Sequence, residues 1–167
     1  MSDIEAKQQL RMLFEQHGAD LRRFAWYRTG NEEAANDIVQ EAYVKLWEKR
    51  DTVEWPRASG LLYTIVGNLA ANYHKHRKVR MEFESRPRSG VDNQDPEFQM
   101  EEDEFRAHLE GCIESLVPTA RIAFLMNRIE SLKYREIAEK LEISVKAVEK
   151  RMGIAIRMLT QCVGQKI

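Results

Sequence analysis

The sequence LKYREIAEKLEISVKAVEKRMGIAIRML, residues 132–159, predicts two helices joined by a tight turn. The first helix, expected over residues 134–141, places its apolar side chains on one face. The second begins after Ser144, whose hydroxyl can accept a hydrogen bond from a free backbone N–H of the first turn. Ile143 and Val148 are placed to pack together across that start as a hydrophobic staple. A short helix, a turn of about three residues and a longer helix are typical of a helix-turn-helix.

The second helix of this motif has one apolar face and one polar face. Its apolar residues recur at helical spacing: Val148, Met152, Ala155 and Leu159. The opposite face carries Lys146, Glu149, Lys150, Gly153 and Arg157. Such a helix fits the DNA major groove, with its N-terminal residues nearest the base edges. An ordinary antiparallel helix pair with a solvated outer face would give the same pattern, so the rest of the chain must decide.

Composition predicts a helical protein of one medium domain or two small ones. The 167 residues include only 4 Pro and 8 Gly, and helix-forming residues are abundant. No apolar run is long enough for a membrane span, and the polar N-terminus MSDIEAKQQL lacks a secretory core. We therefore expect a cytoplasmic protein without membrane insertion. Cys112 and Cys162 match no metal-binding spacing, and we interpret them as buried or inert thiols that do not form a disulfide.

Charge is distributed unevenly along a chain whose net charge is only −1. Residues 92–104 contain seven acidic side chains and no basic one, whereas residues 119–167 contain ten Lys or Arg and five Glu. Residues 74–80, HKHRKVR, form a second basic region. Two basic regions separated by an acidic one suit a chain that contacts phosphate in two places, although a solvated helix face is the commoner explanation.

The positions of glycine, proline and helix-capping residues along the chain predict about four helices, a linker and about four more helices. We expect helices over residues 4–17 and 19–29, ended by Gly18 and Gly30, and then one from Glu32 capped by Asn31. A further helix over residues 101–116 should turn Phe105 inward together with Leu109, Cys112, Ile113 and Leu116. Residues 82–99 break the pattern with Pro and Gly, so the chain divides into residues 1–81, a flexible linker at 82–100, and residues 101–167.

Motifs in both halves resemble the extracytoplasmic-function group of the sigma-70 family of RNA polymerase sigma factors. In the first half, NEEAANDIVQEAYVKLW resembles region 2.2, and ASGLLYTIVGNLAANYHKHRK resembles regions 2.3 and 2.4. In the second half, LVPTARIAFLMNRIESLKYREIAEKLEISVKAVEKRM resembles region 4. The resemblance implies an all-α fold, and it implies a dissociable specificity subunit that directs core RNA polymerase to promoters and assists their melting.

The resemblance assigns roles to three groups of residues. The surface that docks on core polymerase would include Asp37, Gln40, Glu41 and Lys45. The path of the melted −10 strand would be lined by Trp55, Arg57, Asn68, Asn72, Tyr73, Lys75 and Arg77. The −35 element would be bound by Lys133, Tyr134, Ser144, Lys146, Glu149, Lys150, Arg151 and Arg157. The implied partners are core polymerase, promoter DNA and an anti-sigma factor.

The chain departs from the family pattern at its turns and in its recognition helix. Ser131 and Glu142 stand where the family often has Gly, and Lys133 stands where Ser commonly caps the first helix. Asn72 replaces an Asp common in region 2.4, and Gly153 replaces a residue that is often polar or basic. If Glu142 is left-handed, it stores strain of about 1 kcal/mol or more.

Catalysis and metal binding have no support in the sequence. His74 and His76 are two residues apart on a helix and do not face one another. No Ser, Cys or Lys has a recognisable nucleophile context, so we expect neither an enzyme nor a cofactor. Two other classes remain open: an autonomous repressor or activator that uses the same helix-turn-helix, and a helical adaptor that binds only proteins. Neither a coiled-coil heptad nor a separate dimerisation domain is visible, and the two basic regions disfavour the adaptor.

Overall fold

The computed structural model describes residues 2–84 and 96–164, and every regular element in these ranges is helical, as predicted. In chain order they are α1 Asp3–Thr29, α2 Glu32–Glu48, a 3-10 turn Trp55–Arg57, α3 Ala58–Glu84, α4 Pro96–Glu114, α5 Pro118–Arg128, α6 Tyr134–Leu141 and α7 Val145–Gly164. We call residues 2–84 the first half and residues 96–164 the second half. Across both halves, no helix is long and apolar enough to cross a membrane.

The first helix corrects one expected boundary and keeps another. α1 continues through Gly18, which we had expected to end it. A glycine inside a helix costs only about 1 kcal/mol, which is less than the apolar burial gained by continuing the helix to Leu21 and Phe24. Gly30 does end α1, in the left-handed conformation with φ 63°. Asn31 then caps α2, because its side chain accepts a hydrogen bond from the Ala34 N–H at 2.9 Å.

The predicted linker, residues 82–100, falls largely outside the described part of the chain. At its margins α3 continues to Glu84 and α4 begins at Pro96, while residues 85–95 are not described. On α4, Phe105 is 56% exposed, so the expectation that it points inward is wrong. α4 packs through Cys112, about two turns further along, with Leu116 just after its end, and Phe105 lies beyond that contact.

The larger hydrophobic core joins the two halves. Its most deeply buried members come from both: Leu21, Phe24, Leu46, Leu62, Tyr63 and Val66 from the first half, and Ile122, Met126, Ile137, Leu141, Val148 and Met152 from the second. α3 is the element of the first half that packs on α5 and α6. Because this apolar surface is continuous, the helix-turn-helix is anchored partly by the first half.

Two glycines of α3 allow the second half to approach closely. Gly60 and Gly67 are seven residues apart and therefore lie on the same face of the helix. A Cβ atom at Gly60 would lie 3.1 Å from the carbonyl oxygen of Leu141, and one at Gly67 would lie 3.0 Å from Cδ1 of Ile122. An added methyl group would press on backbone at Gly60 and on the end of the Ile122 side chain at Gly67, so Gly60 is the stricter requirement of the two.

A smaller hydrophobic cluster holds α4 against α7 and contains both cysteines. Its buried members are Cys112, Leu116, Ala120, Ala155 and Leu159. Cys112 and Cys162 form a disulfide, with Cα atoms 5.8 Å apart and a separation of 50 positions in sequence. The expectation of two unpaired thiols is therefore wrong. Sequence spacing could not show the pair, because only the packing of the end of α7 on α4 brings the cysteines together.

Candidate nucleic-acid interface

The recognition helix α7 begins as its sequence predicts. The Ala147 N–H donates to the Ser144 hydroxyl at 3.1 Å, so Ser144 caps the helix. Ile143 is half-buried against the large core, and Val148 is fully buried in it. Both groups of the predicted staple therefore lie in the same core, which fixes the angle at which the chain enters the helix.

The outer face of α7 carries the predicted DNA-reading side chains in solvent. Lys146, Glu149, Lys150 and Arg157 are exposed, and among the described residues none of them forms an ion pair. Lys146, Lys150 and Arg157 fall on one line at spacings of four and seven, with Glu149 about a quarter-turn away. Arg151 differs from them, because it is half-buried and burial lowers the pKa of its guanidinium. It flanks this face and does not lie on it.

The turn between α6 and α7 contains a left-handed Glu142, with φ 54° and ψ 44°. Its N–H donates to the Glu139 carbonyl at 3.3 Å, and the Ile143 N–H donates to the Ala138 carbonyl at 3.0 Å. The preceding loop holds a second left-handed residue, Ser131, with φ 55°. Both non-glycine residues at the family's glycine positions therefore adopt conformations that favour glycine.

The start of α6 presents two further predicted DNA contacts. Lys133 is exposed, and its backbone N–H donates to the Glu136 carboxylate at 2.7 Å. Lys133 cannot complete a reciprocal cap, because an ammonium has no acceptor. Tyr134 is half-buried against the large core, so only part of its ring faces solvent. Of these two side chains, Lys133 is the freer to reach a phosphate.

On α3 the predicted strand-reading residues do not form one surface. Asn68, Asn72 and Lys75 are exposed and recur at spacings of four and three, so they share a face. Tyr73 and Arg77 are four residues apart on roughly the opposite side of the helix. Tyr73 is half-buried and meets the His74 ring edge-on, with centroids 6.1 Å apart. A strand that follows the first face would contact the two asparagines and the lysine together.

Trp55 and Arg57 lie at the other end of that path, in the 3-10 turn before α3. Trp55 is half-buried, and within the described residues its indole Nε1 has no hydrogen-bond partner. Its groove is lined by Gln9, Met12, Leu13, Gln16, Trp55, Pro56 and Glu142. The exposed Arg57 pairs with Glu54 at 3.3 Å. The helix-turn-helix therefore contributes Glu142 to the groove that contains Trp55.

A buried polar network joins the halves beside Asn68, and sequence reasoning missed it. Arg121 of α5 donates to the Asn68 side-chain oxygen at 2.6 Å and to the Glu114 carboxylate at 3.3 Å. Glu114 also pairs with Arg28 of α1, whose backbone carbonyl accepts a hydrogen bond from His74 Nε2. Burial, with the Arg28 charge nearby, lowers the pKa of His74, which favours the neutral ring. An arginine inside the apolar run of α5 was the only signal in the sequence.

The predicted polymerase-docking residues lie on the exposed side of α2. Asp37, Gln40 and Glu41 are exposed, and Lys45 pairs with Glu41 at 3.4 Å. Val44 lies among them and is 56% exposed, and no feature of the sequence pattern had selected it. The surface is therefore an acidic face with an apolar centre, a composition that suits a protein partner better than DNA.

Comparison with known proteins gives matches in both halves. The model of the family "Sigma-70 region 2" matches residues 13–80, and that of "Sigma-70, region 4" matches residues 106–159. The chain is 28% identical over 143 residues to the ECF RNA polymerase sigma factor SigE of Mycolicibacterium smegmatis, covering 84% of this chain and 56% of that protein. It is 24% identical over 152 residues to SigL of Mycobacterium tuberculosis, covering 90% of this chain and 86% of that protein.

Two solved structures are similar along nearly the whole chain. CnrH, solved in complex with the cytosolic domain of CnrY, gives a TM-score of 0.47 at 23% identity and covers 98% of this chain and 97% of that one. The sigma factor RpoE of Bartonella quintana, solved in complex with the anti-sigma factor NepR, gives a TM-score of 0.41 at 20% identity, covering 95% and 96%.

The fold and surfaces define an all-helical protein with a helix-turn-helix at one end and a second candidate nucleic-acid surface on α3. With matches to region 2 and region 4 in the family's order, the chain belongs to the extracytoplasmic-function group of the sigma-70 family. The match spans just over half of the M. smegmatis relative.

Proposed function

We propose that this chain is a promoter-specificity subunit that binds core RNA polymerase, directs it to promoters with −10 and −35 elements, and assists melting. The observation that carries the proposal is the presence of both family regions, in order, within one chain. The chain would supply recognition and the polymerase would supply the chemistry, so we propose no enzymatic activity and no cofactor for the chain itself. Its site of action would be the cytoplasm, with the polymerase.

We assign the core-binding and −10-reading roles to residues 1–81 and the −35-reading role to residues 101–167, with residues 82–100 as the connection. In the second half, Lys146, Glu149 and Lys150 would reach base edges. Arg157 lies seven residues beyond Lys150, about 10 Å along the helix, and would reach only phosphate. Glu149 would recognise cytosine, since a carboxylate accepts a hydrogen bond from the cytosine amine.

In the first half we propose that Asn68, Asn72 and Lys75 contact the melted −10 strand. Amides can read base edges and the ammonium can pair with phosphate, which is the combination that single-strand binding uses. The groove beside Trp55 would receive an extruded base, because a base is read singly only after it leaves the stack. The Asn68 side-chain oxygen already accepts a hydrogen bond from Arg121, which leaves the Asn68 amide N–H groups as its donors to the strand. An anti-sigma factor is a further proposed partner, implied by family membership.

The decisive experiment is capture of core polymerase by the full chain, followed by run-off transcription. Asp37→Lys with Glu41→Lys should weaken core binding at least about thirtyfold, or about 2 kcal/mol, because an interface charge becomes repulsive. The matched control is Asp103→Lys with Glu104→Lys, two exposed carboxylates of the second half with the same charge change. This control should retain binding.

The alternative functions give different outcomes in the same experiment. An autonomous repressor or activator would bind duplex DNA tightly without polymerase and would not support run-off transcription. A protein-binding adaptor would capture a partner and show no promoter preference. If both double variants bind core polymerase as well as the unmodified chain, α2 is not the docking surface.

A further inference from the structure

The disulfide between α4 and α7 has a chemical environment that a purely structural cross-link does not need. His108 lies one turn before Cys112 on α4, and its Nε2 is 3.8 Å from the Cys112 sulfur. The same Nε2–H donates to the Cys162 carbonyl oxygen at 3.2 Å. The side-chain ligand atoms of His108, Cys112 and Cys162 all lie within 4.8 Å of one another. A titratable donor therefore sits against the sulfur pair.

The two sulfurs differ in their access to solvent. Cys112 is 1% exposed inside the smaller hydrophobic cluster, whereas Cys162 is half-buried near the end of α7. A small oxidant or thiol reaches Cys162 first, and Cys112 is placed to attack the sulfur that has reacted. An N–H donor beside a sulfur favours the thiolate, which is the reactive form.

We infer that Cys112 and Cys162, positioned by His108, form a reversible thiol-oxidation site that ties the recognition helix to α4. With a peroxide as oxidant, the Cys162 thiolate attacks the O–O bond, giving a sulfenic acid and releasing water after protonation. The Cys112 thiolate then attacks that sulfur, the S–S bond forms, the S–O bond breaks and a second water leaves. Two low-molecular-weight thiols return the pair to the reduced form by exchange and become one disulfide themselves.

Oxidation at this site acts on the stability of the helix-turn-helix. The bond closes a loop of 50 residues that contains α5, α6 and most of α7. Cross-linking a loop of this length restricts the unfolded chain and favours the folded second half. Cys162 lies twelve residues beyond Lys150, about 18 Å along α7, so the bond leaves the base-reading end free. The consequence for promoter reading rests on the proposed function, whereas the oxidation chemistry does not.

The same three groups could instead bind a metal ion, but the structure favours oxidation. A histidine and two thiolates supply three ligands to zinc only while both sulfurs are unbonded. Here the sulfurs are bonded to each other, and the Cα separation of 5.8 Å lies in the ordinary range for a disulfide. The metal is therefore an outcome that the experiment must distinguish.

The test uses the full chain, reduced without oxygen and then equilibrated with graded ratios of reduced to oxidised glutathione. Free thiols are alkylated, and intact mass, peptide mapping and thermal melting are recorded. We expect an intrachain Cys112–Cys162 peptide, a monomer, and a Tm about 5 °C or more above that of the reduced form. Added reduced glutathione should restore both thiols.

Variants separate the chemical and structural roles. The Tm of Cys162→Ser and the Tm of Cys112→Ser should each be independent of the redox buffer. If Cys112→Ser misfolds because Cys112 is buried, Cys162→Ser still provides the test, since Cys162 is only half-buried. His108→Ala should slow closure of the disulfide after peroxide treatment about tenfold near neutral pH, because the His108 N–H lies beside the sulfur of the resolving Cys112, and the difference should close as the pH rises. His108→Gln, which keeps an N–H donor, should recover part of the rate.

Three results would overturn the inference: both thiols remain alkylatable in excess oxidised glutathione, the cross-link forms between molecules, or stoichiometric zinc blocks alkylation and is lost in His108→Ala. Run-off transcription with core polymerase is recorded separately. A chain that oxidises as described but does not support transcription would reject the proposed function and leave the thiol site standing.

Discussion

The recognition helix α7 and the helix α3 carry the two sets of predicted DNA-reading side chains, and the two sets differ in how far other parts of the chain already contact them. On α7, Lys146, Lys150 and Arg157 face solvent, and among the described residues they have no ion-pair partner. On α3, Asn68 is already bound by Arg121, and the glycines of the same helix pack against α5 and α6. One surface is available as it stands, and the other is partly occupied by the second half of the chain.

This difference gives the contact between the halves a functional meaning. The second half can present α7 to duplex DNA without rearrangement. In the first half, the Asn68 side-chain oxygen is already engaged by Arg121, so a melted strand that uses this oxygen must compete with that hydrogen bond. Duplex recognition should therefore be less sensitive than strand recognition to mutations at the contact between halves.

The largest effect is expected when Arg121, the centre of the polar network, is removed. Arg121→Ala loses charge-assisted hydrogen bonds to Glu114 and Asn68, so the free energy of unfolding should fall by about 2–3 kcal/mol. Urea unfolding of the full chain measures the loss, and small-angle scattering should show a larger radius of gyration.

Arg135→Ala is the control for Arg121→Ala. Arg135 pairs with Glu139 at 3.5 Å, but the two side chains are 87% and 71% exposed. Removing such a pair changes stability by less than about 0.5 kcal/mol. Equal losses in the two variants would mean that the network does not hold the halves together.

The second prediction sharpens the comparison on the free surface, α7. A base contact is worth about 1–3 kcal/mol of discrimination, whereas a phosphate contact adds affinity without sequence preference. Lys150→Ala should relax preference at one or two positions of the upstream promoter element. Arg157→Ala should weaken all promoters alike and reduce the salt dependence by about one unit of slope.

A promoter library transcribed with polymerase and each α7 variant separates these two roles. Arg157→Ala is itself the control for loss of positive charge on this helix. If Lys150→Ala lowers every promoter equally and leaves the preferred sequence unchanged, α7 does not read bases as proposed, and Lys146 and Glu149 lose their assignment too.

The third prediction breaks the apolar part of the contact between halves. Ala is favoured over Gly inside a helix by about 0.5–1 kcal/mol. Gly111→Ala on α4 meets nothing within 4 Å and should gain that amount. Gly60→Ala places a Cβ atom 3.1 Å from a backbone oxygen, so it should gain nothing and should push α6 away from α3. Urea unfolding of both variants measures the difference; an equal gain in stability in both would refute the close approach.

Local features of this fold were predictable from the sequence because their causes are local. The bounds of α6 and the start of α7 follow from apolar period and from the Ser144 cap, and Glu142, which stands where the family often has Gly, is left-handed. Gly18 shows the limit of such reasoning, since a stop signal in sequence was overridden by apolar burial on both sides of it.

The missed features all join residues that are far apart in sequence. Arg121 and Asn68 are 53 residues apart, and the cysteines are 50 apart. Helical periodicity tells which face of a helix is buried and does not tell which element covers it. The predicted −10 residues show the same limit. Helical periodicity alone places Tyr73 and Asn72 on different faces of α3, but only the structure shows that Asn68 is hydrogen-bonded to Arg121.

The smallest effect is expected at Glu130, between α5 and α6. Its carboxylate oxygens are buried and accept no hydrogen bond from the described residues. Burial raises the pKa of Glu130, against the opposing charges of Lys140 and of Arg23 on α1. Because the folded pKa lies above the unfolded value, there is no penalty at a pH below both values. As the pH rises through the unfolded pKa towards the folded one, the unfolded chain releases its proton first and stability is lost.

Glu130→Gln should therefore stabilise the chain by about 1 kcal/mol near pH 8, the size of an ordinary buried polar penalty, and by nothing near pH 4. The measurement is the difference in free energy of unfolding between the variant and the unmodified chain, which cancels the titration of other groups. A gain that is equal at both pH values would mean that Gln stabilises by packing.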